Sequence, residues 1–373
     1  MGVPPMKRGQ DACAALANKG VCKCLHRFYV ALLLMTSTLA VGDNARPLIT
    51  GAVERLDARL DAIVSHDAVL EKLATGFRWA EGPVWIKQSP GAGYLLFTDI
   101  PNNAVFKWKD GEAVQLYLKP SGYTGKEARG GLMGANGLTV DAAGRLILCQ
   151  HGDRRVVRQE PDGSWTTLAG RYEGKRFNSP NDAVFKSNGD LYFTDPTYGL
   201  LKERNDPARE TSCCGVYRLS AADGKLTLLT KELTLPNGIA FSPDEKTLYV
   251  AQSDPKKAVW FAFPVKDDGT LGAGRILIDA THWTARPHGN PDGLRVDQHG
   301  NLFATGPGGV NIISPEGVLL GRIHTEKTAA NCAFGGDGSV LFITATDCLY
   351  RIQTKTQAIQ NKPTRTKPAT QVN

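Results

Sequence analysis

Six times along this 373-residue chain a polar side chain opens a short apolar run, and that repetition limits the possible folds more than any other feature. The openings are Glu81-Gly-Pro-Val-Trp85, Asn136-Gly-Leu-Thr-Val140, Asn181-Asp-Ala-Val-Phe185, Asn237-Gly-Ile-Ala-Phe241, Asp292-Gly-Leu-Arg-Val296 and Asn331-Cys-Ala-Phe334. Most lead into a turn and a second apolar strand. Asp141–Gly144 precedes Arg145–Cys149, Lys186–Gly189 precedes Asp190–Thr194, Ser242–Glu245 precedes Thr247–Val250, Asp297–Gly300 precedes Asn301–Ala304, and Gly335–Gly338 precedes Val340–Thr344. Glycine and asparagine supply the positive φ that such tight turns need. A third strand follows over Ala104–Trp108, Arg155–Gln159, Gly215–Leu219, Ala258–Phe263 and Cys348–Ile352. The openings lie 55, 45, 56, 55 and 39 residues apart. Four strands with their turns need roughly 40–50 residues, the size of a propeller blade. The spacing therefore predicts an all-β chain, a six-bladed β-propeller with a central metal-binding channel. The 40 glycines and 21 prolines suit many short strands joined by turns.

The propeller is expected over residues 68–354. Ala68–Gly76 resembles the outer strands Trp165–Gly170, Lys225–Leu229 and Val318–Ile323, so it is expected to pair onto the last blade and leave few free edges. Residues 1–42 read as a signal peptide. Lys23 and Arg27 precede the apolar run Phe28–Val41, and the small residues Ala40 and Gly42 stand before Asp43. That run is short for a membrane span. Residues 43–67 are expected as a lead-in, and the polar, basic residues 355–373 as a disordered tail. These features predict a periplasmic or secreted monomer with no stable membrane span after cleavage. The net charge of +7 is concentrated in the two ends, and no basic cluster marks the body, which argues against a nucleic-acid partner. Beyond residue 42 there are five cysteines, Cys149, Cys213, Cys214, Cys332 and Cys348. Five is odd, so at least one thiol is free or pairs elsewhere, and none has zinc-site spacing. Cys332 and Cys348 could meet in the last blade, and Cys213-Cys214 is either a strained vicinal disulfide or two thiols.

In a propeller the inner strands line the axis, so the six opening residues converge on one small volume. The competing reading makes them hairpin corners, since Asn-Gly and Asp-Gly open turns generally. Glu81 is no turn residue, and Asn181 is followed by Asp182 rather than glycine, which favours convergence. Carboxylate and amide oxygens suit Ca²⁺, Mg²⁺ or Mn²⁺, and the absence of His and Cys from the register argues against zinc or copper. Ca²⁺ fits best because it tolerates irregular six- to eight-fold coordination. A cation with open positions polarises a carbonyl and acidifies bound water, which points to an ester or lactone substrate. Asp292 and Glu81 are both candidate general bases. His151, at the end of a second strand, is a candidate substrate contact or an ordinary loop histidine, as is His288. Tyr198 either lines the entrance or packs. No Gly-x-Ser-x-Gly elbow, phosphate loop or His-Glu-x-x-His motif offers a rival chemistry.

Ala80-Glu-Gly-Pro-Val-Trp85, Ser179-Pro-Asn-Asp182 with Tyr192-Phe-Thr-Asp-Pro196, Leu235-Pro-Asn-Gly-Ile-Ala-Phe-Ser-Pro-Asp244 and Pro291-Asp-Gly-Leu294 resemble the motifs of the gluconolactonase / senescence marker protein-30 family. The resemblance runs from about Leu70 to Ile352. It implies metal ligation by Glu81, Asn181, Asn237 and Asp292, a general-base role for Asp292, and hydrolysis of an aldonolactone such as glucono-1,5-lactone. On that assignment Asn136 and Asn331 are channel residues, with Asn136, His151 and Tyr198 taken as substrate contacts. Some relatives hydrolyse organophosphates, so an arylesterase or phosphotriesterase is the alternative enzyme. A binding module with a structural ion is the non-enzymatic alternative. Mg²⁺, Mn²⁺ or Zn²⁺ could stand in for Ca²⁺. Cys213-Cys214 falls outside the family pattern.

Overall fold

Strand after strand in this chain is apolar at consecutive positions, because each blade is covered on both faces. In Leu146–Gln150, Ile147 and Cys149 point one way, and Leu146 and Leu148 the other. That alternation is the period-two geometry of a strand, and here both sides meet a neighbouring blade. The computed structural model describes residues 47–127, 129–285 and 287–359. The expected signal peptide, and the tail beyond residue 359, lie outside the described residues.

Six antiparallel sheets form the blades. Blade 1 comprises Ala80–Ser89, Ala92–Asp99, Ala104–Trp108 and Gln115–Leu118. Blade 2 runs Ala135–Val140, Leu146–Gln150, Arg155–Gln159 and Trp165–Ala169, and blade 3 runs Ala183–Phe185, Leu191–Asp195, Gly215–Leu219 and Leu226–Thr230. Blade 4 comprises Pro236–Phe241, Thr247–Gln252, Val259–Pro264 and Arg275–Asp279. Blade 5 begins Leu294–Val296, Leu302–Gly306, Gly309–Ile313 and Leu319–Ile323. Blade 6 takes Ala329–Gly335, Val340–Ala345 and Cys348–Gln353 from the end of the chain and Leu70–Thr75 from its beginning. Leu70–Thr75 pairs antiparallel with Cys348–Gln353, which ties both ends into one sheet. Hydrophobic clusters fill the blade junctions in turn. One joins blades 1 and 2, the next four join each successive pair, and Trp85, Phe97 and Trp108 meet Phe342 and Leu349 where blade 1 closes on blade 6. Trp85 stacks on Phe342 with ring centroids 5.5 Å apart.

Two boundaries differ from expectation. The lead-in is part of the propeller: Val53–Arg55 adds a fifth strand to blade 5, and Leu48–Ile49 adds one to blade 6. An outermost strand carries an unpaired row of N–H and C=O groups, and the lead-in covers two such rows. At the other end, residues 355–359 are held rather than disordered. Lys355 N–H donates to Ile63 O at 2.8 Å, and the Thr356 hydroxyl donates to Asp297 Oδ2 at 2.9 Å. Asp297 is fully buried, and a buried carboxylate needs such donors. Among the described residues the five cysteines are all free. Cys332 pairs with Ile343 and Cys348 with Ala345, on opposite sides of Val340–Ala345, so the two thiols do not meet.

The inner strands approach one another too closely for side chains at several positions. A Cβ on Gly82 would lie 2.0 Å from Asn136 O, and one on Gly293 would lie 2.0 Å from Asn331 Cγ. We expect Gly293→Ala to cost about 3 kcal/mol, the upper range for overpacking a filled interior, seen as a lowered midpoint in urea. Gly130→Ala, with nothing within 4 Å of the added carbon, serves as the near-neutral control. Equal stability of the two variants would contradict this packing.

Candidate active site

The six opening residues are not hairpin corners. Each stands at the start of its blade's innermost strand or just before it, and in blades 1, 2, 4 and 6 the register with the second strand shifts at that point. Such a shift is a bulge, which re-aims a side chain. The residues after the openings bring neighbouring blades together in a ring. Gly82 abuts Asn136 O, Gly137 N–H donates to Asn181 O at 2.7 Å, and Thr194 Oγ1 donates to Asn237 O at 2.8 Å. Gly238 N–H donates to Asp292 O at 3.2 Å, Gly293 abuts the Asn331 side chain, and Asn331 Nδ2 donates to Glu81 Oε2 at 3.0 Å. The circle is thereby closed, and Glu81, Asn136, Asn181, Asn237, Asp292 and Asn331 surround one axis.

Their entry loops are fixed by a device that repeats in three blades. Asp99 accepts the N–H groups of Arg78 and Trp79 at 3.0 and 3.2 Å. Asp195 accepts those of Asn178 and Ser179, both at 2.8 Å. Gln252 Oε1 accepts Thr234 N–H at 2.8 Å and lies 3.5 Å from Leu235 N. In each case the anchored residues stand three and two places before Glu81, Asn181 or Asn237. The anchoring residue ends the second strand of the same blade, so the loop is tied to the rigid sheet. Sequence reading missed this role, although the recurring Phe-Thr-Asp at 97–99 and 193–195 was a visible signal.

Electrostatically the ring is short of positive charge. Glu81 is buried, and burial pushes its carboxyl up to about 7, with the Asp182 charge adding to the effect. Gly82 N–H at 2.6 Å and the Asn331 amide pull the other way, both arriving on Oε2. Burial and then the Glu81 charge push Asp292 well above the usual carboxylate range, opposed by a hydrogen bond from Asn237. Arg295 supplies nearby positive charge, but its Nη1 is engaged with Asp182 Oδ2 at 3.3 Å and Leu294 O at 2.7 Å. Asn136 Oδ1 and Asn181 Nδ2 are buried without a partner. The buried acceptor Asn136 Oδ1 without a partner, near two carboxylates one of which raises the other, fits a hard cation. Among the described residues no cluster of three His, Cys, Asp or Glu side chains offers another metal site. The donors here are carboxylates and amides, which suit a hard cation.

Of the six ring residues only Asp292 reaches solvent, being half-buried while the other five are buried. Tyr198 is also half-buried and lies near Asp292 and Ser253. His151 does not present itself at the channel mouth. It is fully buried, and burial lowers its pKa to about 3, opposed by a backbone hydrogen bond to Leu132. The reason is the segment that closes over it: His151 N–H donates to Gly134 O and Gly152 N–H to Met133 O, while Arg129 donates to the carbonyls of Gly152 and Gly199. His288 carbonyl accepts from Thr328 at a loop, away from the ring hydrogen bonds.

Known proteins share this chain's pattern over most of its length. Residues 79–347 match the SMP-30/Gluconolactonase/LRE-like region. A gluconolactonase of Zymomonas mobilis is 36% identical over 340 residues, covering 88% of this chain and 94% of that protein. The structure of a gluconolactonase from Xanthomonas campestris superposes with a TM-score of 0.71 at 34% identity, covering 83% of this chain and 98% of that one. A lactonase of Staphylococcus epidermidis is 28% identical over 195 residues, half of this chain and 55% of its own. With its six blades, its channel ring and a match to the family's region across most of its length, this chain belongs to the SMP-30/gluconolactonase/LRE-like family.

Proposed function

We propose that the protein is a cation-dependent lactone hydrolase that opens an aldonolactone, with glucono-1,5-lactone as the reference substrate. The observation that carries the reading is the closed ring of oxygen-bearing side chains in which Asn331 bonds Glu81 and the Glu81 charge acts on Asp292. Support for lactone chemistry comes from the family and from gluconolactonase relatives matched over nearly their whole length.

Glu81, Asn181, Asn237 and Asp292 would hold the cation, and Ca²⁺ suits their hard, partly neutral donor set. When bound it supplies Lewis-acid polarisation of a carbonyl and charge stabilisation for an oxyanion. The rest falls to the chain. Asp292 takes a proton from the attacking water as its oxygen bonds to the lactone carbonyl carbon. The ring C–O bond then breaks, and Asp292 returns the proton to the departing ring oxygen, leaving a hydroxy acid. Tyr198, beside Asp292, and Asn136, with its unpartnered Oδ1, would contact substrate hydroxyls. Export belongs to the same proposal, on the reading of residues 1–42. Among the described residues no helix is long and apolar enough to cross a membrane.

Hydrolysis of glucono-1,5-lactone should vanish on chelation and return with Ca²⁺. Asp292→Ala should lose about 10²–10⁴-fold in kcat, the range for a general base, with its circular dichroism unchanged. Activity that survives complete chelation would overturn the cation requirement, and a fully active Asp292→Ala would overturn the base assignment.

The raised Glu81 carboxyl also predicts a pH dependence. The folded, cation-free protein retains a proton up to about 7 that the unfolded chain releases near 4.5. Its stability therefore falls as pH rises through that window. Cation affinity runs the opposite way, because the carboxylate must lose its proton to bind. Calorimetric titration should show Ca²⁺ affinity climbing as pH rises through about 7, and climbing further while the raised Asp292 carboxyl loses its proton. A flat profile would show that Glu81 is already ionised in the cation-free protein.

A further inference from the structure

We propose that Ser253 is a positioning residue for the channel ring, setting the orientation of the Asn237 amide and the backbone that carries Asp292. This rests on the cation-binding reading above and adds a residue to which that reading gives no role.

Ser253 follows the second strand of blade 4 and is buried, 4% exposed. Its backbone N–H donates to Leu235 O at 3.0 Å, so its own position is fixed by the loop that leads to Asn237. Its hydroxyl donates to Pro291 O, the carbonyl immediately before Asp292. A serine hydroxyl has one proton, so with that bond made the oxygen can only accept. Asn237 Nδ2 donates to it at 3.0 Å. Tyr198 also interacts with Ser253 through its side chain. One oxygen therefore joins the opening residue of blade 4, the backbone leading to blade 5 and the tyrosine of the loop between the second and third strands of blade 3.

The consequence is directional. An amide presents either its NH₂ or its oxygen to a given neighbour, and the partner decides which. With its only proton committed to Pro291, Ser253 can accept but not donate, so it selects the nitrogen of Asn237. The same nitrogen also serves Asp292, which leaves Oδ1 as the end available to a cation. Without the hydroxyl, Asn237 can turn over, and the Pro291–Asp292 backbone loses its cross-blade tie. Groups that orient ligands in this way typically change metal affinity or activity by about 10- to 100-fold when removed.

The test compares Ser253→Ala with Ser253→Thr, which keeps the hydroxyl. Ca²⁺ binding is measured by calorimetry, hydrolysis is resolved into kcat and KM, and both cation-free proteins are checked by thermal melting. Ser253→Ala should bind Ca²⁺ at least tenfold more weakly and lose kcat more than it raises KM. Ser253→Thr should recover most of both. Wild-type affinity and kcat in Ser253→Ala would overturn the proposal. So would equal losses in both variants accompanied by equally lowered melting temperatures, since that is the signature of packing alone. If the wild-type protein binds no Ca²⁺, the cation reading fails by itself, and the crystal structure of Ser253→Ala then decides the serine's role. An Asn237 amide and a Pro291–Asp292 backbone that stay in place would overturn it, and a turned amide would support it.

Discussion

Everything in this molecule depends on six strand starts packed around one axis closely enough to exclude side chains between them. At Gly82 and Gly293 the neighbouring blade comes within 2.0 Å of where a Cβ would stand. Such an approach is open only to glycine. It has two effects at once. Backbone and threonine hydroxyl groups of adjacent blades bond directly, as at Gly137–Asn181 and Thr194–Asn237. The residue just before each close contact is also aimed at the axis, where it meets its counterparts from the other blades. The closed fold and the site are thus products of the same packing, and the ring holds only while both ends of the chain share blade 6.

That coupling explains the unusual electrostatics. Elsewhere in the molecule buried carboxylates are satisfied: Asp99 and Asp195 each accept two backbone N–H groups, and Asp297 accepts from Thr356 and Asn301. Glu81 and Asp292 differ in standing together: burial raises both, Asp182 adds to Glu81, and the Glu81 charge adds to Asp292. Two acids side by side among amide side chains form a hard donor set that suits a cation. Asp195 is raised to about 7 by burial just as Glu81 is, but no second acid pushes it further, whereas the Glu81 charge does push Asp292.

Much of this was legible in the sequence, for physical reasons that can be traced. The six openings, the third strands and the closing strand followed from a hydrophobic pattern repeated at blade length, and the register of Glu81 with five amide or acid residues pointed to convergence. The lead-in and residues 355–359 escaped because their pairing satisfies edges that only the folded sheets create. His151 was misplaced because its burial depends on the Gly122–Met133 segment folding over it, which no local pattern announces. The pinning of entry loops by Asp99, Asp195 and Gln252 was present as a repeated motif, but its meaning depends on which backbone N–H groups the fold brings near. Ser253 carried no sequence signal at all, because its role comes from three elements distant in the chain.

The most direct test of the account is the anomalous difference map of a crystal soaked in Mn²⁺, with residues 43 onward in native form. The account predicts a strong peak on the propeller axis, within bonding distance, roughly 2–2.6 Å, of oxygens from Glu81, Asn181, Asn237 and Asp292. A well-diffracting crystal with no peak on the axis, or with its peak elsewhere, would contradict the claim that the ring of strand starts exists to hold a cation.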